Sequence, residues 1–155
     1  MPALHRYSVT TTLASVGAST EVHAIRLATP STRRCRPIRY KLSTRGTGST
    51  DAPALVQVYR GITGGLTAGT GATPAPVNPG MPASLITATT QMTVGTIAGG
   101  AVLDPFIMPA AASVYTEPVD EDAAPVTDVS SFLDFTIKGT GTALGNVTLT
   151  VWYDE

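Results

Sequence analysis

The sequence predicts an all-β protein: an antiparallel β-sandwich of about eight strands, jelly-roll-like in type. Three observations carry this expectation. Threonine occurs 25 times among 155 residues, and its β-branched side chain favours extended backbone. Apolar and polar residues alternate in one segment after another, which is the period of a half-buried strand. Helical periodicity is missing. Its nearest candidate, the Ala-rich IMPAAASVYTEP, is short and bracketed by Pro109 and Pro118, and proline ends helices.

The elements follow in order. In LHRYSVTTTL, Tyr7 and Val9 share a face. In EVHAIRLA, His23, Ile25 and Leu27 alternate with Val22, Ala24 and Arg26. PIRYKLS sets Ile38, Tyr40 and Leu42 against Arg39 and Lys41, apolar inward and charged outward. ALVQVYR is apolar on both faces except at Gln57 and Arg60, which suits a central strand. GAVLDPFIM reads as a strand bent at Asp104–Pro105. FLDFTIK places Leu133, Phe135 and Ile137 opposite Asp134, Thr136 and Lys138. NVTLTVWYDE alternates Val147, Leu149, Val151 and Tyr153 with Thr148, Thr150, Trp152 and Asp154. The Gly-rich GTGTALG between the last two reads as a hairpin loop joining them. Short strands with Gly/Pro punctuation in a chain of this length predict one sandwich domain over 1–155.

Residues 61–100 are the exception. They are rich in Gly, Thr, Ala and Pro, carry no charge, and only LITATTQMTV has strand character. So long a loop inside a compact domain is functional or disordered, and disordered linkers are usually more polar. Leu66, Val77, Met81, Leu85 and Ile86 need cover. The segment is expected to be a long loop, or an arm laid on a neighbouring subunit.

Charged residues make up 14% of the chain, against about 25% for an ordinary soluble domain. A surface finished with hydroxyls and methyls suits permanent assembly better than free dispersion. The net charge of −1 hides a polarity: residues 1–60 hold nine basic and two acidic side chains, residues 61–155 one basic and nine acidic. Opposite halves can neutralise each other within a fold or across a subunit boundary. No apolar run is long enough to span a membrane, and MPALHRYSVT has no signal-peptide core; the expectation is a soluble product made in the cytoplasm.

Reactive constellations fail one by one. His5 and His23 are the only histidines and Cys35 the only cysteine, so neither zinc-site spacing nor a disulfide is available. His23 reads as a packed or rim residue. Arg33, Arg34 and Arg36 could activate the Cys35 thiol, but a small residue at a strand start is the better reading. GITGGLTAGTG lacks the Lys-Ser/Thr of a phosphate loop, and GTGTALG joins two strands rather than a strand and a helix. No catalytic residue, cofactor site or metal site is assigned, and the chain is expected not to be an enzyme. The acids Glu117, Asp120, Glu121, Asp122 and Asp128 do not have calcium-loop spacing and read as a solvated loop able to meet arginines on a partner. STRRCRPIRYK is its basic counterpart; in a chain that is not basic overall, nucleic-acid binding is not expected.

The order of features resembles small accessory proteins of tailed-bacteriophage virions. The stretches that carry the likeness are HRYSVTTTL, STRRCRPIRYKLSTRGTGSTDAPALVQVYRGITGGLTAGTGATPAPVNPG and GNVTLTVWYDE. They share with that group a basic strand, a Thr/Gly/Ala/Pro-rich connection and a closing amphipathic strand ending in acids. The likeness covers most of the chain as order and texture, not as a diagnostic motif. It implies a capsid decoration or cement protein on the outside of a phage shell, with the major capsid protein as partner and commonly a homotrimer. Attachment at the tail, head–tail junction or fibre base is the neighbouring possibility, and a carbohydrate-binding β-sandwich module the more distant one. Arg33, Arg34, Arg36 and Arg39 are the expected electrostatic side of the contact, with Trp152 and Tyr153 as aromatic anchors of the kind enriched at interface centres.

Overall fold

A computed structural model describes residues 5–45, 53–108, 114–118, 126–141 and 143–155. These form eleven strands: β1 (Arg6–Leu13), β2 (Glu21–Ala28), β3 (Arg36–Arg45), β4 (Ala54–Thr67), β5 (Thr70–Ala72), β6 (Ala75–Pro76), β7 (Thr87–Thr90), β8 (Thr93–Met108), β9 (Val114–Pro118), β10 (Phe132–Gly139) and β11 (Asn146–Asp154). They lie in two antiparallel sheets, one ordered β6-β1-β11-β3-β9 and the other β5-β7-β2-β10-β4-β8. The first is called here sheet I and the second sheet II. The fold is all-β and sandwich-like, as expected.

The inward residues are largely those the alternation selected. Ile38, expected beside Tyr40 and Leu42, is instead skipped by a bulge where Trp152 pairs with Arg39 and Tyr153 with Pro37, and lies half-buried outside the core. Tyr7, Val9, Tyr40, Leu42, Val147, Leu149, Val151 and Tyr153 from sheet I meet Ile25, Leu27, Val56, Val58, Leu133, Phe135 and Ile137 from sheet II in one buried core. Tyr40 and Phe135 cross the interlayer edge to face, with centroids 5.3 Å apart, the geometry that ring quadrupoles prefer.

Four further expectations are corrected. FLDFTIK and NVTLTVWYDE do not form a hairpin: β10 pairs with β2 and β4 in sheet II, whereas β11 pairs with β1 and β3 in sheet I. The connection between them crosses from one layer to the other, fastened by the Val16–Leu144 bridge. Two amphipathic strands each need a facing layer, and a flat hairpin would leave both apolar rows on one side of a single sheet. His23 does not share the face of Ile25 and Leu27. The register skips between Phe135 and Thr136, so Phe135 faces Ile25 while Thr136 faces His23; the bulge at Ala24 turns His23 to the outer face, beside Arg26. The bend expected at Asp104–Pro105 is a bulge one residue earlier, where Val58 pairs with Asp104 and Tyr59 with Val102. Pro105 itself sits in the terminal strand of the described sheet, where a missing N–H costs least.

The fourth of these corrections concerns 61–100, which is not a free loop or arm. β4 continues to Thr67 and β8 starts at Thr93, so both ends of the segment are a paired ribbon. Between them β7 extends sheet II beside β2, β5 pairs with β7, and β6 pairs with β1 of sheet I. The insertion therefore lines one side of the sandwich on both layers. To reach β7 from β4 the ribbon must pass β10 and β2, and it does so across the outer face of sheet II. β8 touches β2 although β10 and β4 lie between them in the sheet. Ile62 is 1% exposed yet outside the interlayer core. The bend is made by glycines of positive φ in both strands, Gly61 (75°) against Gly99 (69°) and Gly100 (81°), a region costly for any residue with a Cβ. Lacking charge, the ribbon loses no ion hydration when it lies down.

Candidate assembly surface

The two outer faces differ. That of sheet II is covered by the ribbon, and its buried polar side chains bond one another, with His23 Nδ1 left without a partner among the described residues. Asp134 is fully buried and accepts from His23 Nε2 (2.8 Å) and Arg26 Nε (2.7 Å) on Oδ1, and from Arg26 Nη2 (3.0 Å) on Oδ2. Arg26 Nη2 also reaches the Ile62 carbonyl at 3.3 Å, tying the ribbon to the sheet. Thr136 donates to Glu21. Burial and the Glu21 carboxylate push the Tyr59 phenol up to about 12. A His–Asp pair is a familiar catalytic element, but here Asp134 is shared with an arginine and both members are closed to solvent.

Among the described residues nothing covers the outer face of sheet I over β1, β11 and β3, where Arg6, Thr10, Thr12, Arg39 and Lys41 are exposed. The register sets its side chains in four rows: Arg6–Asp154–Arg36, Ser8–Trp152–Arg39, Thr10–Thr150–Lys41 and Thr12–Thr148–Ser43. Rows repeat about 7 Å apart along the strands and columns about 5 Å apart across them. Hydroxyls close the ladder, with Thr10 to Thr150 at 2.9 Å and Thr12 to Thr148 at 3.0 Å, a cross-strand pairing that stiffens a sheet. The Arg39 guanidinium lies 5.1 Å from the Trp152 ring centroid, within cation–π range. Asp154 is 2% exposed and held by Arg6 Nε (2.9 Å) and Arg36 Nη2 (3.3 Å). Among the described residues Asp154 is the only carboxylate in these rows, set against Arg6, Arg36, Arg39 and Lys41, so the face is basic.

The expected contact residues separate accordingly. Arg39 and Trp152 are neighbours on the open face, and Arg36 stands at its end, partly committed to Asp154. Arg33 and Arg34 are exposed in the turn before β3; Arg34 approaches Asp128 at 3.9 Å with both side chains largely solvated, a contact worth little. Tyr153 is corrected: it is 0% exposed and its hydroxyl meets Ser84 Oγ at 2.9 Å, with burial raising its pKa. It anchors the insertion to the sheet, not a partner to the surface. Cys35 is buried and free; burial first, then Glu155 and Asp154, push its thiol well up, so the adjacent arginines do not activate it. Asp120, Glu121 and Asp122 of the acidic stretch lie outside the described residues. Among the described residues no group of three or more His, Cys, Asp or Glu is placed to hold a metal, and no helix is long and apolar enough to cross a membrane.

Sequence reasoning missed the Glu155 clamp. Its carboxylate accepts from Ser84 Oγ (2.8 Å) and from the Leu85 and Ile86 amides (3.3 Å each), while Tyr7 donates to the Pro82 carbonyl at 2.9 Å. Nothing local announces a contact 70 residues apart. The rows of the open face were half legible, since alternation puts Thr148, Thr150 and Trp152 on one side, but the columns depend on which strands pair.

No protein-family model matches the chain, and no curated protein or solved structure is significantly similar to it.

Proposed function

We propose that this chain is a structural virion protein that binds the outer surface of a phage capsid as a cement or decoration subunit, acting through presented area and not through a reactive group. The observation that carries the reading is the open face of sheet I: a three-strand grid of hydroxyls with an Arg39–Trp152 stack and Lys41, on a fold whose opposite face is crossed by the ribbon. Rigid, hydrogen-bonded side chains lose little entropy on docking, and Arg and Trp are favoured at energetic centres of interfaces. The strand order supports a jelly roll: β1-β11-β3-β9 faces β2-β10-β4-β8, which is two four-stranded sheets formed by rolling up paired strands, with β5–β7 inserted between β4 and β8. A homotrimer fits a clamp at a threefold junction of a shell.

The carbohydrate reading is weaker on this geometry, because the Arg39 guanidinium occupies an indole face that a sugar ring would need. The test is immunogold labelling of purified virions from cells that carry the gene, with sedimentation of the isolated protein. Label distributed over the head and a trimer in solution are expected. Label confined to the tail moves the protein to the tail or fibre base; unlabelled particles overturn the proposal.

A further inference from the structure

We infer that the open face of sheet I is the docking surface, and that it takes a protein strand presenting carboxylates at alternate positions. The inference rests on the structural-subunit reading above and adds the face and the chemistry of its partner. Arg39 and Lys41 are exposed, two residues apart on β3, and therefore point the same way about 7 Å apart. Acids at i and i+2 of an extended segment have this spacing. Arg39 is already positioned on Trp152, so its planar fork is held ready for a carboxylate. Beside the two cations, Thr150 and Thr148 offer hydroxyls in the adjacent column, held by Thr10 and Thr12. Among the described residues the one carboxylate of the four rows, Asp154, is occupied by Arg6 and Arg36 and does not compete.

A nucleic-acid strand fits less well. Its binding grows with the number of phosphates neutralised, and with Arg6 and Arg36 holding Asp154 only two cations of the grid face outward. A second copy of the chain is the other acidic candidate, and self-association is an outcome the experiment separates.

The experiment uses the full chain and an immobilised peptide of alternating Glu and Thr, with a peptide of equal composition whose glutamates are contiguous and an oligothymidylate as comparators. Trp152, the one tryptophan, reports from within the face, so soluble peptide is also titrated against its emission. The alternating peptide is expected to bind about tenfold tighter than the contiguous one, to shift Trp152 emission and to weaken with salt. The double variant R39Q/K41Q, at exposed positions that leave the core untouched, should lose that binding by about tenfold, while Lys138→Gln on the other sheet should not. Equal binding of the two peptides, an unchanged double variant, tighter binding of oligothymidylate, or salt-sensitive self-association abolished by R39Q/K41Q each overturns the inference. Virion labelling that persists with R39Q/K41Q sinks the assigned face and spares the structural reading; peptide binding with no virion labelling does the reverse.

Discussion

Replacing Asp134 by asparagine tests what holds the ribbon against sheet II. The carboxylate is 0% exposed and receives donors from His23 Nε2, Arg26 Nε and Arg26 Nη2 at 2.7–3.0 Å. Asparagine keeps the volume but has one oxygen, so an N–H is turned toward an N–H whichever way the amide lies. Breaking one side of a buried ion pair costs about 3–5 kcal/mol. Arg26 retains 15% side-chain exposure and recovers some hydration, which places the expected loss near the lower end, about 3 kcal/mol. With an unfolding entropy of about 2.1 cal/mol/K per residue, that is a fall of about 9 °C in Tm for this chain. Urea titration followed by Trp152 emission, with thermal melting by far-UV circular dichroism, measures both. The cost arises from stranding the arginine, so Arg26→Met combined with Asp134→Leu should be more stable than Asp134→Leu alone. A D134N protein within about 1 kcal/mol of the parent, or a double variant no better than the single one, refutes this account.

The bend of the ribbon supplies a paired test. At Gly100 a Cβ would lie 2.9 Å from Ile62 Cγ1, whereas at Gly61 it meets nothing within 4 Å; both have positive φ. Gly61→Ala is expected to cost about 1–2 kcal/mol from conformation alone, and Gly100→Ala measurably more by urea unfolding. Glu155→Gln weakens charge-assisted bonds to the insertion, so hydrogen exchange at the Leu85 and Ile86 amides should accelerate about tenfold, with strand β10 unaffected. Cys35 should resist a thiol-specific disulfide reagent in the native protein and react once the chain is unfolded in urea; prompt native labelling contradicts its burial. Stability should fall between about pH 10 and 12. In that window the unfolded Tyr59 has lost its proton while the folded one, held to about 12, keeps it, so the unfolded state binds fewer protons and is favoured as pH rises. Tyr7, Tyr153 and Cys35, also raised by burial, act in the same direction. Tyr59→Phe should flatten part of the slope of urea midpoint against pH.

Much of the sandwich was legible because alternation is local. Whether Leu133, Phe135 and Ile137 share a face depends only on the pleat, and all three are buried. The same holds for Val147 to Tyr153, and for the open-face residues Trp152, Thr150 and Thr148 in between. The short strands β5–β7, two to four residues each, gave too little pattern to separate from loop. Their strand character comes from the neighbours they pair with.

What the sequence alone determined is therefore the all-β class and the inward rows, both set by side-chain size and polarity at a period of two. Which strand lies beside which was decided only in three dimensions. Arg26 meets Asp134 across 108 residues and Arg6 meets Asp154 across 148, and a single-residue bulge at Ala24 carries His23 to the opposite face. The ribbon likewise is told where to lie by the face it covers. Strand order, register and closure depend on free energies of contacts between distant segments, and no window of neighbouring residues contains them.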